Sequence, residues 1–571
     1  MKRFKIFRKY LLYIFFFFSI FDVANGRNLN RYYDVDKISK YFYGVLAFQN
    51  NEYASSYESL KELKGLEDLH LSFSRLYQYS LINSEKFNEV FNFSRSLERK
   101  GIDNFESNLV IGVYFLKNNR IDLAKKYFKK LNEKNSEWSF QDFLTVSLNN
   151  WVSVSNLDEA QGINLFESIP NKFKNIKKIQ VAFIHCFYDS NLTSQQFKLL
   201  NSDEEINFSR YNFFHANYLR KIGKKENALE VIESSLKLNP RSLILNQLKI
   251  DLLNTKKSKK FTNKFDCRNL QHVIAETFYI TGNALATQGA YGVSNFYLNL
   301  AKYLNSNFVS YEALYAENFY MTNNLKKSEN IYNSIKNKGS IYNWHALKKI
   351  ADILIEQEKK DEAFKLLKNG YNKILNPSIY EIYDYAEFLR NNEKFSESAK
   401  KYTEVLDLID NTHYLYPKAT DGRGISYERI KKWSEAEKDF LNSLSVSPDQ
   451  AYVLNYLAYS WIEKGINIEK SLNMLKKANN LKKNDGYIID SLGWALFKLE
   501  KYKQAKEYLQ MAVTIMPSDP IVNDHFADSL WMNGQALQAR YYWKYVLSLD
   551  KTEKELKKSI KQKLILGLEL L

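Results

Sequence analysis

Turn-forming residues are scarce in this chain: 7 prolines and 19 glycines in 571 residues. That scarcity excludes a protein built from many short strands and tight hairpins, and no run alternates apolar and polar residues long enough to form a sheet. Cysteine is nearly absent, with Cys186 and Cys267 alone and no C-x-x-C spacing, which excludes a rubredoxin-like metal module. The 7 histidines are scattered singly, and there is no G-x-S-x-G elbow, no phosphate-cradling G-x-x-x-x-G-K-[ST] loop and no carboxylate pair in a recognisable context. We therefore expect no catalytic residue, no metal, no cofactor and no small-molecule substrate. Beyond the N-terminus no stretch is apolar enough to span a bilayer.

What the chain does have is a ladder of small residues. Leu492-Gly493-Trp494-Ala495-Leu496-Phe497, then Ala505, Leu509, Ala512 and Pro517, recurs 34 residues later as Phe526-Ala527-Asp528-Ser529-Leu530, Ala539 and Trp543. A period of 34 with small residues at fixed places predicts stacked helix–turn–helix units. Two antiparallel helices approach closely only where Cβ is the largest group, and proline ends the second helix because it lacks an N–H and fixes φ. The packing positions so defined are Gly424, Ala436, Pro448, Ala458, Ala478, Gly493, Ala505, Ala512, Pro517, Ala527 and Ala539.

This pattern resembles the tetratricopeptide (TPR) repeat family. Further copies run upstream at Ala386/Ser398, Ala351/Ala363, Ala316/Ser328, Ala216/Ala228, Gly112/Ala124 and Gly44/Ser56, with looser ones at Ala301 and Ala160. The predicted fold is all-α, an α-α superhelical solenoid of about 10–15 TPR-like helical hairpins, since each repeat touches only its neighbours and the array has no set length. The expected organisation is a signal peptide at 1–26, degenerate N-terminal TPR-like repeats at 27–255 and a basic linker at 256–268. Intermediate repeats follow at 269–380, well-formed repeats at 381–551 and a capping helix at 552–571.

The N-terminus sets the expected compartment. Lys2, Arg3, Lys5, Arg8 and Lys9 precede an apolar stretch from Leu11 to Phe21, and Ala24-Asn25-Gly26 offers small residues for cleavage. A cleaved signal peptide and a periplasmic protein of a bacterial envelope are expected, with an uncleaved signal-anchor as the alternative. No cysteine follows the apolar stretch, so the protein is not expected to be a lipoprotein. Cys186 and Cys267 are expected as two small buried hydrophobes, with a disulfide as the alternative. The formal charge of +17 falls to +13 without residues 1–26. Its lysines are interspersed with acids, which fits biased codon usage better than nucleic-acid binding. The densest cluster, Lys256-Lys257-Ser258-Lys259-Lys260 with Lys264, is expected to be a solvated loop.

In a TPR array the first helix of each repeat lines the concave face. The non-packing positions there read Tyr452, Asn455 and Tyr459, then Asp490, Trp494 and Phe497, then Asp524, Asp528 and Trp531. Aromatic anchors beside Asn or Asp suit a protein segment, although the same side chains also serve as packing between repeats or as helix caps. Residues about 420–550 resemble exported proteobacterial TPR proteins, on Arg423-Gly424-Ile425-Ser426-Tyr427, Tyr452-Val453-Leu454-Asn455-Tyr456-Leu457-Ala458-Tyr459 and Asn523-Asp524-His525-Phe526-Ala527-Asp528. That group includes adaptors that deliver substrates to a carboxyl-terminal processing protease. The resemblance implies a non-enzymatic scaffold or adaptor whose partners are envelope proteins or peptide segments. A peripheral membrane or cell-wall structural protein acting through the basic surface is the second reading. The terminal stretch with Leu556, Ile560, Leu564 and Leu568 is expected to cap the array, with a membrane-surface helix as its alternative.

Overall fold

The computed structural model describes residues 35–131, 140–167, 169–170, 173–200, 209–254 and 261–568. The expected signal peptide and the cluster Lys256–Lys260 lie outside the described residues. Among the described residues there are thirty α-helices and no strand, which in pairs matches the upper end of the expected 10–15 hairpins. No described helix is long and apolar enough to cross a membrane. The chain forms two compact units, residues 1–359 and 360–571.

The second unit contains five successive hairpins. Their first and second helices are Ile379–Asn391 and Phe395–Leu406, Tyr416–Arg429 and Trp433–Val446, Ala451–Glu463 and Ile468–Leu481, Gly486–Lys498 and Tyr502–Ile515, and Pro520–Met532 and Ala536–Ser548; Lys554–Leu566 follows. The small residues sit where the two helices meet: Ala386, Ala458, Ala505, Ala527 and Ala539 are fully buried. At Gly493 a Cβ would stand 2.6 Å from Leu509 Cγ, and at Gly424 2.8 Å from Phe440 Cε1, so these contacts leave no room for a methyl group. Each turn between paired helices closes the same way. Lys394, Lys432, Ile466, Lys501 and Gln535 each donate their N–H to a carbonyl five residues back at 2.8–3.0 Å. The residue just before or near that donor takes a left-handed φ: Glu393, Lys431, Gly465, Glu500 and Gly534.

Where the second helix supplies serine in place of alanine, its hydroxyl seals the close approach. Ser398 Oγ donates to the Ala386 carbonyl at 2.9 Å. In the first unit Ser328 does the same to Ala316 at 2.9 Å, Ser294 to Gly282 at 2.7 Å and Ser56 to Gly44 at 2.8 Å. All four pairs are twelve residues apart, so the degenerate N-terminal hairpins share the packing of the well-formed ones. The Gly282/Ser294 hairpin, Leu270–Thr287 with Tyr291–Leu304, was not visible in the sequence pattern, and Ala301 lies in its second helix. Ser471 shows the rule by exception: one extra residue in the Gly465–Ile468 turn sets it thirteen from Ala458, and its buried hydroxyl has no partner.

In the first unit the inward faces of the early helices are covered by the chain itself. The hairpin Leu270–Thr287 with Tyr291–Leu304 packs on the first helices Leu71–Asn83, Phe105–Lys117 and Phe140–Ser153. Polar side chains seal this contact. Asn83 Nδ2 donates to the Gly292 carbonyl at 3.1 Å, Asn299 Nδ2 to Asn83 Oδ1 at 3.2 Å, and Asn295 Nδ2 to the Tyr53 hydroxyl at 3.0 Å. Arg210 reaches the fully buried Glu276 with both Nε and Nη2, at 2.8 and 3.0 Å.

Two expectations change here. The described part of the basic linker, residues 261–268, is not a solvated connection: Asn263, Phe265 and Cys267 are buried, and only Lys264 and Arg268 face solvent. Driving that segment inward places Cys267 beside the helix Lys174–Phe187. Cys186 and Cys267 are accordingly joined in a disulfide, with Cα atoms 5.8 Å apart, and are not the two separate buried thiols expected. Lys554–Leu566 packs as a terminal helix, with Ile560 fully buried and Leu556, Leu564 and Leu568 partly so.

Candidate interaction surface

Three columns of side chains run along the first helices of the second unit, set by their offset from the small residue of each repeat. Three residues before it stand Tyr383, Asp421, Asn455, Asp490 and Asp524; one residue after it, Glu387, Ile425, Tyr459, Trp494 and Asp528; four after it, Arg390, Glu428, Ile462, Phe497 and Trp531. All nine residues expected on the concave face except Tyr452 fall in these columns. Six of the fifteen are carboxylates and one is basic, on a chain whose net charge is +17.

The downstream end of the columns is closed. Asp490, Trp494, Phe497, Asp524 and Asp528 are buried between successive first helices and the terminal helix. His525 Nδ1 stands 3.0 and 3.1 Å from the oxygens of Asp490. Trp494 lies flat on the His525 ring with centroids 4.0 Å apart, stacks on Phe497 at 4.8 Å, and donates Nε1–H to Glu463 at 2.6 Å. Burial works against a charged His525, but the carboxylate of Asp490 outweighs it and holds the ring above its ordinary value.

Lys563 of the terminal helix enters between Asp524 and Asp528, with Nζ 2.7–2.9 Å from all four carboxylate oxygens. Trp543 Nε1 donates to Asp528 at 2.9 Å. Burial, then the neighbouring Asp524, pushes Asp528 up to about 6 against the pull of Lys563. Trp531 is half-buried under Arg540 and packs so tightly on Gly567 that a Cβ there would lie 2.2 Å from the indole. Lys563 carried no signal in the sequence, because nothing in a run of lysines marks the one that turns inward.

The upstream end is less deeply buried. Glu387 is met by Arg390 at 3.1 Å and by the Tyr402 hydroxyl, and Glu428 by the Tyr456 hydroxyl at 3.2 Å. Asp421 is largely buried yet makes no hydrogen bond or ion pair with any described residue, and burial pushes its carboxyl up to about 6, with Arg390 opposing and Glu387 adding. Asn455 Oδ1 and Arg390 Nε are both shielded from solvent without a partner. Tyr459 is half-buried, and burial raises its hydroxyl.

A second feature lies where each second helix ends and the next first helix begins. Val446, Leu481 and Ile515 are the last residues of three second helices, and Tyr452, Tyr487 and Ile521 the second residues of the first helices that follow. All six are 40–60% exposed. Tyr452 donates its hydroxyl to Asp485 at 3.1 Å and accepts from Lys482 at 2.8 Å, which fixes the hydroxyl end of the ring.

Residues 340–552 match the tetratricopeptide repeat family. A TPR repeat-containing protein of Pseudomonas aeruginosa is 27% identical over 177 residues, which cover 30% of this chain. The matched region spans 28% of that relative's length. Among solved structures, similarity extends to a tetratricopeptide repeat protein from Parabacteroides merdae, 17% identical over 39% of this chain and 86% of that one, with a TM-score of 0.33. It also extends to a thermophilic TPR protein of Thermus thermophilus, 13% identical over 33% of this chain and all of that one, with a TM-score of 0.29. Over residues 340–552 this chain is thus similar to tetratricopeptide repeat proteins, and its described residues form an all-helical fold of stacked helix pairs.

Proposed function

We propose that the protein is an exported, non-enzymatic scaffold that binds other cell-envelope proteins through its C-terminal repeats. The observation that carries this reading is the row of exposed apolar residues, one pair per repeat, at Val446/Tyr452, Leu481/Tyr487 and Ile515/Ile521. Apolar side chains that recur in solvent at repeat spacing suit a protein surface that spans several repeats. The expected signal peptide supports an exported location. So does the Cys186–Cys267 disulfide, since such bonds persist in oxidising compartments. The resemblance of residues about 420–550 to protease adaptors makes delivery of a substrate to a carboxyl-terminal processing protease the concrete form of this role. A peripheral membrane or cell-wall role through the basic surface is the second reading, favoured by the net charge of +17.

The two readings separate in one experiment. Full-length protein and a Tyr452→Ser/Tyr487→Ser/Ile521→Ser variant are used to capture partners from envelope extract at low and high salt. The scaffold reading expects partners that resist salt and are lost from the variant. Partners held equally by both proteins and released by salt overturn it in favour of the basic surface.

A further inference from the structure

The columns of the second unit are acidic on a basic chain, and of their six carboxylates Asp421 alone has no ion-pair partner among the described residues. Downstream, Asp490 takes His525, and Asp524 with Asp528 takes Lys563, each basic partner arriving from the next helix but one along the array. Upstream, the same position holds Asp421 and then Asn455. The residues one repeat further on that correspond to His525 are Tyr456 and Ser491, and both are committed elsewhere: the Tyr456 hydroxyl to Glu428 and the Ser491 hydroxyl to the Tyr487 carbonyl. Asp421 therefore keeps a half-buried carboxylate with no hydrogen-bond or ion-pair partner among the described residues, and Asn455 Oδ1 is shielded from solvent without one. Native interiors rarely leave an acceptor such as Asn455 Oδ1 unpaired, and beside the unpaired Asp421 it points to donors supplied from outside the chain.

We infer that the concave face over Ile379–Asn391, Tyr416–Arg429 and Ala451–Glu463 receives a lysine- or arginine-bearing segment of a partner protein, its cationic head on Asp421 and an N–H on Asn455 Oδ1. This rests on the scaffold reading and names the chemistry of the partner. Charge complementarity selects the occupant: Arg390 and Arg429 offset Glu387 and Glu428, which leaves the carboxylate of Asp421 as the uncompensated charge and disfavours an acidic peptide or an anionic lipid. Lys563 shows the same recognition within the chain, an ammonium seated on aspartates of a first helix. The partnerless Nε–H of Arg390 is the donor for a main-chain carbonyl of the same segment.

The test uses the full-length protein and fluorescence anisotropy of two labelled peptides, one of alternating Lys and Ala and one of alternating Glu and Ala. Wild type is expected to bind the lysine peptide saturably and the glutamate peptide not at all. Asp421→Asn should weaken the lysine peptide by about tenfold, the size of one lost charge-assisted contact, and Asn455→Leu severalfold. Urea unfolding of Asp421→Asn decides whether the carboxylate serves binding or the fold. An unpaired buried charge should leave the free protein as stable or more stable when neutralised. The inference falls if Asp421→Asn binds the lysine peptide as wild type does, if no lysine peptide binds, if the glutamate peptide binds as well, or if Asp421→Asn loses stability. Should it fall while Tyr452→Ser/Tyr487→Ser/Ile521→Ser still loses captured partners, the scaffold reading stands and only the chemistry of the partner is wrong.

Discussion

His525 faces Asp490 from the next repeat, 35 residues on in sequence, with its Nδ1 3.0 Å from the carboxylate and its ring flat against Trp494. The pair acts as a rung between successive first helices. Because its folded-state value is raised, the stabilisation it brings is complete below the unfolded value of about 6.5 and is lost as pH rises through the folded value. Urea unfolding should show wild type losing more stability than Asp490→Asn as pH rises from about 6 into the alkaline range. Equal losses in the two proteins would mean that the ring stays neutral.

Lys563 is the only described cation on Asp524 and Asp528, so Lys563→Met leaves two buried carboxylates facing each other. At neutral pH this should cost about 3 kcal/mol in unfolding free energy. The cost should shrink below about pH 6, where Asp528, already pushed to about 6, takes up a proton. Emission from Trp531 and Trp543, which lie beside the site, reports the same change.

Ser398 and Ser471 occupy equivalent places in their hairpins but differ in bonding. Ser398→Ala removes a buried hydrogen bond to the Ala386 carbonyl and should cost about 1 kcal/mol. Ser471→Ala removes a hydroxyl that has no partner and should be neutral or stabilising by up to about 1 kcal/mol. Matched thermal melts decide it. Equal losses would contradict the thirteen-residue spacing as the cause.

The disulfide between Cys186 and Cys267 closes a loop over a separation of 81 residues. Paired replacement by serine should cost about 4 kcal/mol on chain-entropy grounds. Limited proteolysis should then cut first in residues 261–268, while the second unit keeps its resistance. Unchanged cleavage there would show that packing alone holds this segment.

The hairpins were legible where the sequence keeps both small residues at an offset of twelve in helices of ordinary length, as at Gly493/Ala505 and Ala527/Ala539. Gly282/Ser294 has the same offset and the same bond. It went unread because its first helix, Leu270–Thr287, runs to 18 residues and shifts the flanking apolar pattern. The burial of residues 261–268 was illegible for a different reason. Lys264 and Arg268 describe the solvent side, while Asn263, Phe265 and Cys267 point inward onto helices far away in sequence.

The sequence by itself determined the helix pair. Cβ-sized residues twelve apart, a turn that accepts a left-handed residue and an N–H bonded five residues back are all local, so they recur wherever the pattern recurs. Only the tertiary structure decided which residues of the first helices remain available. Asp421, Asn455, Asp490 and Asp524 stand in one column with similar local surroundings, and what separates them is whether a basic side chain reaches across from the next helix but one. His525 and Lys563 do so at one end. At the other end no described residue does, and the half-buried carboxylate of Asp421 is left without an ion-pair partner.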